Sequence, residues 1–145
     1  MASVVAVCMS SAKGVSKLPV ASAVFKVGIG MEGDAHAGGD AVREVSLLAM
    51  ESIGKMDGGG REFKPGDFAE NITTSGIVLA SLPVGTRLQA GGEVILEITQ
   101  IGKKCHSGCA IFKEVGNCIM PKEGVFARVT KGGTIRPGDG IQLIK

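Results

Sequence analysis

The stretch Arg87–Ile101, RLQAGGEVILEITQI, decides the fold class of this 145-residue chain. Gly91 and Gly92 separate the apolar runs Arg87–Ala90 and Glu93–Ile101. Paired glycines between two such runs are a strong signal for a β-hairpin. The second run alternates along its length, with one face formed by Val94, Leu96, Ile98 and Gln100. This period of two predicts a half-buried strand, so the stretch is expected to form a hairpin.

The rest of the chain continues in short apolar runs. These runs predict strands at Val4–Met9, Val20–Val27, Val42–Val45, Phe68–Thr74, Val125–Thr130 and Ile141–Ile144. Ser46 has the position of an N-cap for a helix through about Met56, because apolar residues at helical spacing follow it. A second short helix is expected at about Ser107–Val115. Many short strands with one or two short helices predict a mainly β fold, a closed or partly open β-barrel, in one domain over residues 1–145.

Composition and charge argue against several functional classes. The net charge is +2 and neither Tyr nor Trp is present, so the basic and aromatic residues of a nucleic-acid surface are missing. No apolar run reaches the length of a transmembrane helix. The N-terminal run MASVVAVCM lacks the basic region of a signal peptide and is interpreted as a first strand. We therefore expect a cytoplasmic protein with reduced cysteines and no nucleic-acid or membrane partner.

Three glycine-containing sequences are interpreted as structural. Lys64–Asp67 (KPGD) and Arg136–Asp139 (RPGD) are near-copies in which Pro followed by Gly predicts a type II turn before a strand. Gly28–Gly33 (GIGMEG) fits the dinucleotide-binding pattern, but that pattern needs a helix to begin at the glycines. The sequence that follows, DAHAGG, is a poor helix former. An irregular loop is therefore predicted there.

Polar residues at loops and strand ends are the candidates for binding. Asp34 and His36 could orient a substrate or bind a metal, while a structural role, with Asp34 capping its own loop, stays open. Glu70-Asn71 lies beside an apolar run, where a polar pair is often the solvent face. An anion site could be lined by Arg43, Lys103, Lys104 and Arg128, although isolated basic residues are usually solvated.

Reactive and charged side chains are most concentrated around Cys105, which follows Lys103 and Lys104 and precedes His106. A thiol reacts as its thiolate, and neighbouring positive charge favours that form. If a helix begins after Ser107, its N-terminal dipole acts in the same direction. Cys105 is therefore expected to be a better nucleophile or sulfur carrier than a buried structural cysteine.

A zinc site is the alternative for the same segment. Its ligands would be Cys105, His106, Cys109 and Cys118, which are suitable residue types. The spacing C-H-x-x-C, however, is not a usual metal-binding spacing. Cys109 and Cys118 are instead expected to be small buried hydrophobic residues, as is Cys8 in the first strand.

Six segments together resemble the MOSC domain, a family named for the C-terminal domain of molybdenum cofactor sulfurases. They are Gly30–Gly38 (GMEGDAHAG), Arg43–Leu48 (REVSLL), Gly66–Gly76 (GDFAENITTSG), Pro83–Leu88 (PVGTRL), Glu97–Cys105 (EITQIGKKC) and Gly124–Gly138 (GVFARVTKGGTIRPG). The resemblance covers nearly the whole chain and rests on the order and spacing of the segments. It is strongest to small stand-alone bacterial members.

The resemblance implies a compact β-barrel that acts on molybdopterin or the molybdenum cofactor. It also implies a cysteine near the end of the strand that begins around Glu93, proposed to carry sulfur or to meet molybdenum, and Cys105 matches that position. Cys105 is thus the candidate catalytic residue and metal ligand. The candidate cofactor-binding residues are Asp34, His36, Arg43, Glu70, Asn71, Lys103, Lys104, His106 and Arg128.

The expected function is that of a sulfur-carrier or molybdopterin-binding protein, which could act as a sulfur transferase. Some relatives carry a pyridoxal-phosphate desulfurase domain or a second barrel, and this chain has neither. The expected partners are therefore a pyridoxal-phosphate-dependent cysteine desulfurase or molybdenum-cofactor assembly proteins. Two alternatives stay open: a non-catalytic module that binds a pterin or a partner, and a Cys/His metal-binding protein.

Overall fold

The structure, a computed structural model, describes residues 2–10, 17–34, 44–54, 64–66, 68, 70–101 and 124–144. In these ranges the chain is mainly β. The strands are β1 (Ser3–Met9), β2 (Leu18–Val20), β3 (Ala23–Lys26), β4 (Gly30–Met31), β5 (Val45–Ala49), β6 (Ile72–Ser75), β7 (Arg87–Ala90), β8 (Val94–Ile101), β9 (Val125–Lys131), β10 (Gly133–Ile135) and β11 (Ile141–Ile144). The described residues also form the short helix α1 (Met50–Gly54) and a 3₁₀-helix at Leu79–Ser81.

The strands form two sheets. The larger has eight strands in the order β11-β7-β8-β9-β5-β6-β1-β2, and the smaller has the order β10-β3-β4. Strands β5 and β6 are parallel. The first and last strands approach each other at an isolated bridge between Ser3 and Gly140, but the sheets do not close into a barrel in the described chain. The mainly β prediction is confirmed, whereas the barrel is not.

The predicted central hairpin is confirmed. Strand β7 pairs with β8 in an antiparallel register that places Arg87 opposite Glu97 and Ala90 opposite Val94. The turn between them uses Gly91, whose φ of +68° is in the left-handed region. The predicted alternation is also present. The buried residues of β8 are Val94, Leu96 and Ile98, which join the hydrophobic core.

The prediction for Ser46 is wrong, because this residue lies inside a strand. All five residues of β5 are buried, and the helix begins only at Met50. Strand β5 lies between β9 and β6 in the larger sheet. A strand covered on both faces is continuously apolar, and a short apolar run of this kind cannot be distinguished from a helix by spacing. The neighbouring strands therefore decide its conformation.

Other predicted boundaries also shift. The predicted strand Val20–Val27 is divided between β2 and β3, and Phe68–Thr74 becomes a strand only from Ile72. The described part of the GIGMEG loop consists of turns around β4, not a helix beginning at the glycines. The predicted helix Ser107–Val115 lies outside the described residues. None of the described helices is long and apolar enough to cross a bilayer.

Candidate functional site

A row of paired residues locates the ends of the segment that carries Cys105. Ile101 of β8 pairs with Val125 of β9, and the row continues through Leu47 of β5 to Ile72 of β6. The chain therefore leaves and rejoins the larger sheet at neighbouring positions. The loop that precedes Ile72 lies two strands away from Val125.

Asn71 lies in that loop and is fully buried. Its Oδ1 accepts hydrogen bonds from the backbone N–H of Ser46 at 3.0 Å and from the Ser46 hydroxyl at 3.2 Å. Its Nδ2 donates to the carbonyl oxygen of Cys8 at 3.3 Å and lies 3.9 Å from Sδ of Met31. Buried polar groups need such partners. Asn71 therefore joins strands β1, β4 and β5 at the start of β6.

Glu70 is also fully buried, which overturns the solvent-face alternative for this pair. Its Oε2 accepts hydrogen bonds from the backbone N–H of Gly66 at 3.0 Å and from the Thr73 hydroxyl at 2.8 Å. Its Oε1 has no hydrogen-bond partner in the described structure. Burial raises the pKa of Glu70 to about 7, against the lowering effect of these hydrogen bonds. The carboxyl group therefore titrates near neutral pH.

Asp34 belongs to a buried ion pair. Its Oδ1 lies 2.8 Å from Nζ of Lys17, and both side chains are at most 1% exposed. The same oxygen accepts the backbone N–H of Ser10 at 3.1 Å. The Asp34 carboxylate thus binds the residue after β1 and a buried lysine. This geometry supports a structural role for Asp34.

Arg128 lies on the exposed side of the β8–β9 ladder. Its Nη2 is 3.2 Å from Oε1 and 3.1 Å from Oε2 of Glu97, the residue opposite it in the register. In the described structure Arg128 forms its ion pair with Glu97, and no hydrogen bond or ion pair joins it to Asp34, Glu70 or Asn71.

The other predicted site residues lie outside the described residues: His36, Arg43, Lys103, Lys104, Cys105 and His106, together with Cys109 and Cys118. Cys8 is buried, as predicted. The described ranges contain no group of three or more His, Cys, Asp or Glu residues that could hold a metal ion.

The residues Lys17, Asp34, Ser46, Glu70, Asn71 and Thr73 form what we call the buried polar cluster. The sequence-based site prediction missed three of its members: Lys17, Ser46 and Thr73. A lysine in a loop is ordinarily solvated, so the sequence contains no signal for the burial of Lys17. For Ser46 the sequence predicts a helix N-cap, so its role as a buried hydrogen-bonding partner of Asn71 is missed.

Comparisons with known proteins support the resemblance. The chain is similar in structure to YiiM from Geobacillus stearothermophilus, with a TM-score of 0.79 and 22% identity over 100% of this chain and 76% of that one. It is also similar to the YUAD protein from Bacillus subtilis, with a TM-score of 0.72 and 20% identity over 97% and 94% of the chains. YiiM from Escherichia coli is similar with a TM-score of 0.69 and 18% identity, over 100% of this chain and 70% of that one.

Because the sequence identities are low, these structural similarities establish a shared fold and nothing about function. None of the curated proteins matches the chain. A family model described as the MOSC domain matches residues 33–142. That range is well over half of the chain and includes Asp34, Glu70, Asn71 and Cys105. The chain therefore belongs to the MOSC domain family.

Proposed function

We propose that this protein acts on the molybdenum cofactor, with Cys105 as its reactive group. Cys105 either carries sulfane sulfur or offers its thiolate to molybdenum. Membership of the MOSC family supports the broader part of this proposal, because the family is associated with molybdenum-cofactor-related functions. The observation that carries the specific part is the position of Cys105, four residues after Ile101 and inside the matched range.

Sulfur transfer to Cys105 is a thiol exchange that needs no added oxidant. The Cys105 thiolate attacks the outer sulfur of a persulfide on a donor protein, the S–S bond of that donor breaks, and the donor leaves as a thiolate. The product is a persulfide on Cys105. Lys103, Lys104 and His106 provide the neighbouring cationic groups that favour the thiolate. A pyridoxal-phosphate-dependent cysteine desulfurase is the proposed donor.

The chemistry of the donor set suits a molybdopterin ligand. A thiolate is a soft ligand for a metal, and Arg and Lys bind phosphate. When bound, the cofactor would supply a molybdenum centre and a phosphate. The proposed hydrogen-bond donors to the cofactor phosphate are Arg43, Lys103, Lys104 and His106. Arg128 could also bind the phosphate if its ion pair with Glu97 breaks. The proposed contribution of His36 is to orient the ligand.

Asp34, Glu70 and Asn71 contribute to this proposal in an indirect way. All three side chains are buried and hydrogen-bonded to protein groups. Their proposed role is to hold the loops that follow Asp34 and precede Ile72. Direct contact of these three residues with the cofactor, which the family resemblance implies, stays a prediction.

Mass spectrometry of the intact protein tests the sulfur-carrier proposal. The protein is incubated with a cysteine desulfurase and cysteine, with and without molybdopterin. We expect the added mass of one sulfur atom on the wild type and on Cys109→Ser, its removal by a thiol reductant, and no addition to Cys105→Ser. Sulfur on Cys109 or Cys118 instead, or the absence of both sulfur addition and molybdopterin binding, would contradict the proposal.

A further inference from the structure

Lys17 is a fully buried lysine that connects three separate parts of the chain. Lysine is almost never fully buried unless it is paired. Its Nζ donates to Oδ1 of Asp34 at 2.8 Å and to the hydroxyl of Ser10 at 3.1 Å. Its backbone N–H donates to the carbonyl oxygen of Gly66 at 2.7 Å. Lys17 therefore contacts the residue after β1, the loop after β4 and the KPGD turn.

The contact with Gly66 extends this connection to Glu70. Gly66 accepts the N–H of Lys17 through its carbonyl oxygen and donates its own N–H to Oε2 of Glu70. A Cβ atom at Gly66 would overlap the carbonyl oxygen of Lys17, so the two backbones approach as closely as glycine permits. Lys17 thus binds Asp34 through its side chain and is linked to Glu70 through its backbone contact with Gly66.

We propose that Lys17 is a positioning residue for the cofactor site. It holds Asp34, in the loop after β4, and the loop that contains Glu70 and Asn71 in a single relative arrangement. A buried ion pair contributes little net stability compared with apolar packing, but its directional bonds can specify one geometry. The link from this arrangement to cofactor binding rests on the proposed function, whereas the holding of the loops does not.

Hydrogen exchange measured by mass spectrometry tests the holding of the loops without any cofactor. Lys17→Met removes the ammonium group and keeps an apolar chain of similar length. The matched control is Lys26→Met, because Lys26 forms an exposed pair with Glu32 at 3.3 Å. We expect amide exchange in peptides covering residues 30–34 and 64–71 to rise at least tenfold in Lys17→Met and to stay unchanged in Lys26→Met. Unchanged exchange in both peptides, or a uniform rise that includes β7 to β9, would overturn the proposal.

A double variant separates positioning from stability. In Lys17→Met/Asp34→Asn the unpaired carboxylate is removed, while the asparagine oxygen can still accept the N–H of Ser10. We expect its melting temperature to recover toward that of the wild type, and its affinity for molybdopterin, measured by calorimetry, to stay at least tenfold weaker. The Asp34 side chain is 1% exposed, so the loss is not that of a surface contact. Recovery of both properties would assign Lys17 a structural role alone.

The hydrogen-exchange comparison and the affinity measurement can each be interpreted if the other fails. If Lys17→Met does not fold, exchange and affinity are measured on the double variant, whose charges are balanced. If the wild-type protein binds no molybdopterin, the cofactor-binding branch of the proposed function fails, and the exchange comparison still decides whether Lys17 holds the two loops.

Discussion

Glu70 has a pKa of about 7 because burial disfavours its charged form. The folded protein therefore holds this proton more tightly than the unfolded chain, in which a glutamate titrates near 4.5. The resulting stabilisation is complete below that ordinary value and is lost as the pH rises through 7. Glu70 should thus make the folded protein less stable in mildly alkaline than in mildly acidic solution.

We predict that Glu70→Gln removes this pH dependence, because the amide does not ionise. The free energy of unfolding of the variant relative to the wild type should rise by about 2 kcal/mol between pH 5 and pH 8. Urea unfolding at both pH values measures it. The control is Glu32→Gln at an exposed ion pair with Lys26. An equal difference between Glu70→Gln and wild type at both pH values would contradict the prediction.

The turns KPGD and RPGD are near-copies in sequence that differ in their surroundings. Gly66 and Gly138 have φ values of +90° and +95°, as the type II turn prediction requires. A Cβ atom at Gly138 would meet nothing within 4 Å, whereas at Gly66 it would overlap the carbonyl oxygen of Lys17. The first turn therefore contacts the buried polar cluster through Lys17 and Glu70, whereas the second hydrogen-bonds to Val4 of β1 and leaves free space beside Gly138.

This difference predicts unequal costs for the same substitution. Gly138→Ala should lose about 1 kcal/mol of stability, the cost of placing alanine in the left-handed region. Gly66→Ala should lose at least about 2 kcal/mol more, because Lys17 must also move and its hydrogen bonds weaken. Chemical denaturation of the two variants and the wild type measures both losses in the free energy of unfolding. Equal losses would show that the Lys17–Gly66 contact does not constrain the turn.

The β8–β9 ladder places Arg128 opposite Glu97, so any phosphate must compete with a carboxylate for the guanidinium group. If Arg128 binds the cofactor phosphate, Arg128→Lys should weaken molybdopterin binding and Arg128→Ala should weaken it further, because Lys lacks the planar fork of Arg. Glu97→Gln should strengthen it. Titration calorimetry measures these affinities.

The melting temperature controls for folding in this comparison. An exposed ion pair contributes about 0–1 kcal/mol, so all three variants should melt close to the wild type. Unchanged affinities together with unchanged melting temperatures would remove Arg128 from the cofactor site. The phosphate contact would then be assigned to Lys103 and Lys104.

Across the whole molecule, the four thiols should differ in reactivity. Cys8 is buried in β1 and should react last in the folded protein. Cys105 should react first, because its cationic neighbours favour the thiolate. Alkylation rates as a function of pH, measured by peptide mapping, test this order. Faster labelling of Cys109 or Cys118 at neutral pH would contradict it.

The zinc alternative makes a separate prediction for the same preparation. A structural zinc site needs about four ligands, and loss of one should destabilise the fold. Under the sulfur-carrier proposal, elemental analysis should find no stoichiometric zinc, and Cys109→Ala, which keeps a small apolar side chain, should melt close to the wild type. Stoichiometric zinc in the purified protein would overturn the proposal in favour of a metal site.

Local patterns in the sequence predict much of the fold because strands and turns depend on neighbouring residues. The alternation from Val94 to Ile98 and the glycines after Ala90 predict the hairpin, since side-chain period and left-handed φ are local properties. The same reasoning fails at Val45–Ala49, where a short apolar run is compatible with helix or strand. There, pairing with β9 and β6 decides the conformation.

By itself, the sequence determined the mainly β class, the central hairpin, the two proline–glycine turns and, through the order of its segments, the MOSC family. The tertiary structure decided which polar groups are buried and which groups they bind. Lys17 and Asp34 are 17 positions apart, and Asn71 and Ser46 are 25 positions apart. Such pairs have no local signature, because each member is stabilised by a partner from another part of the chain. The buried polar cluster is therefore a property of the folded chain.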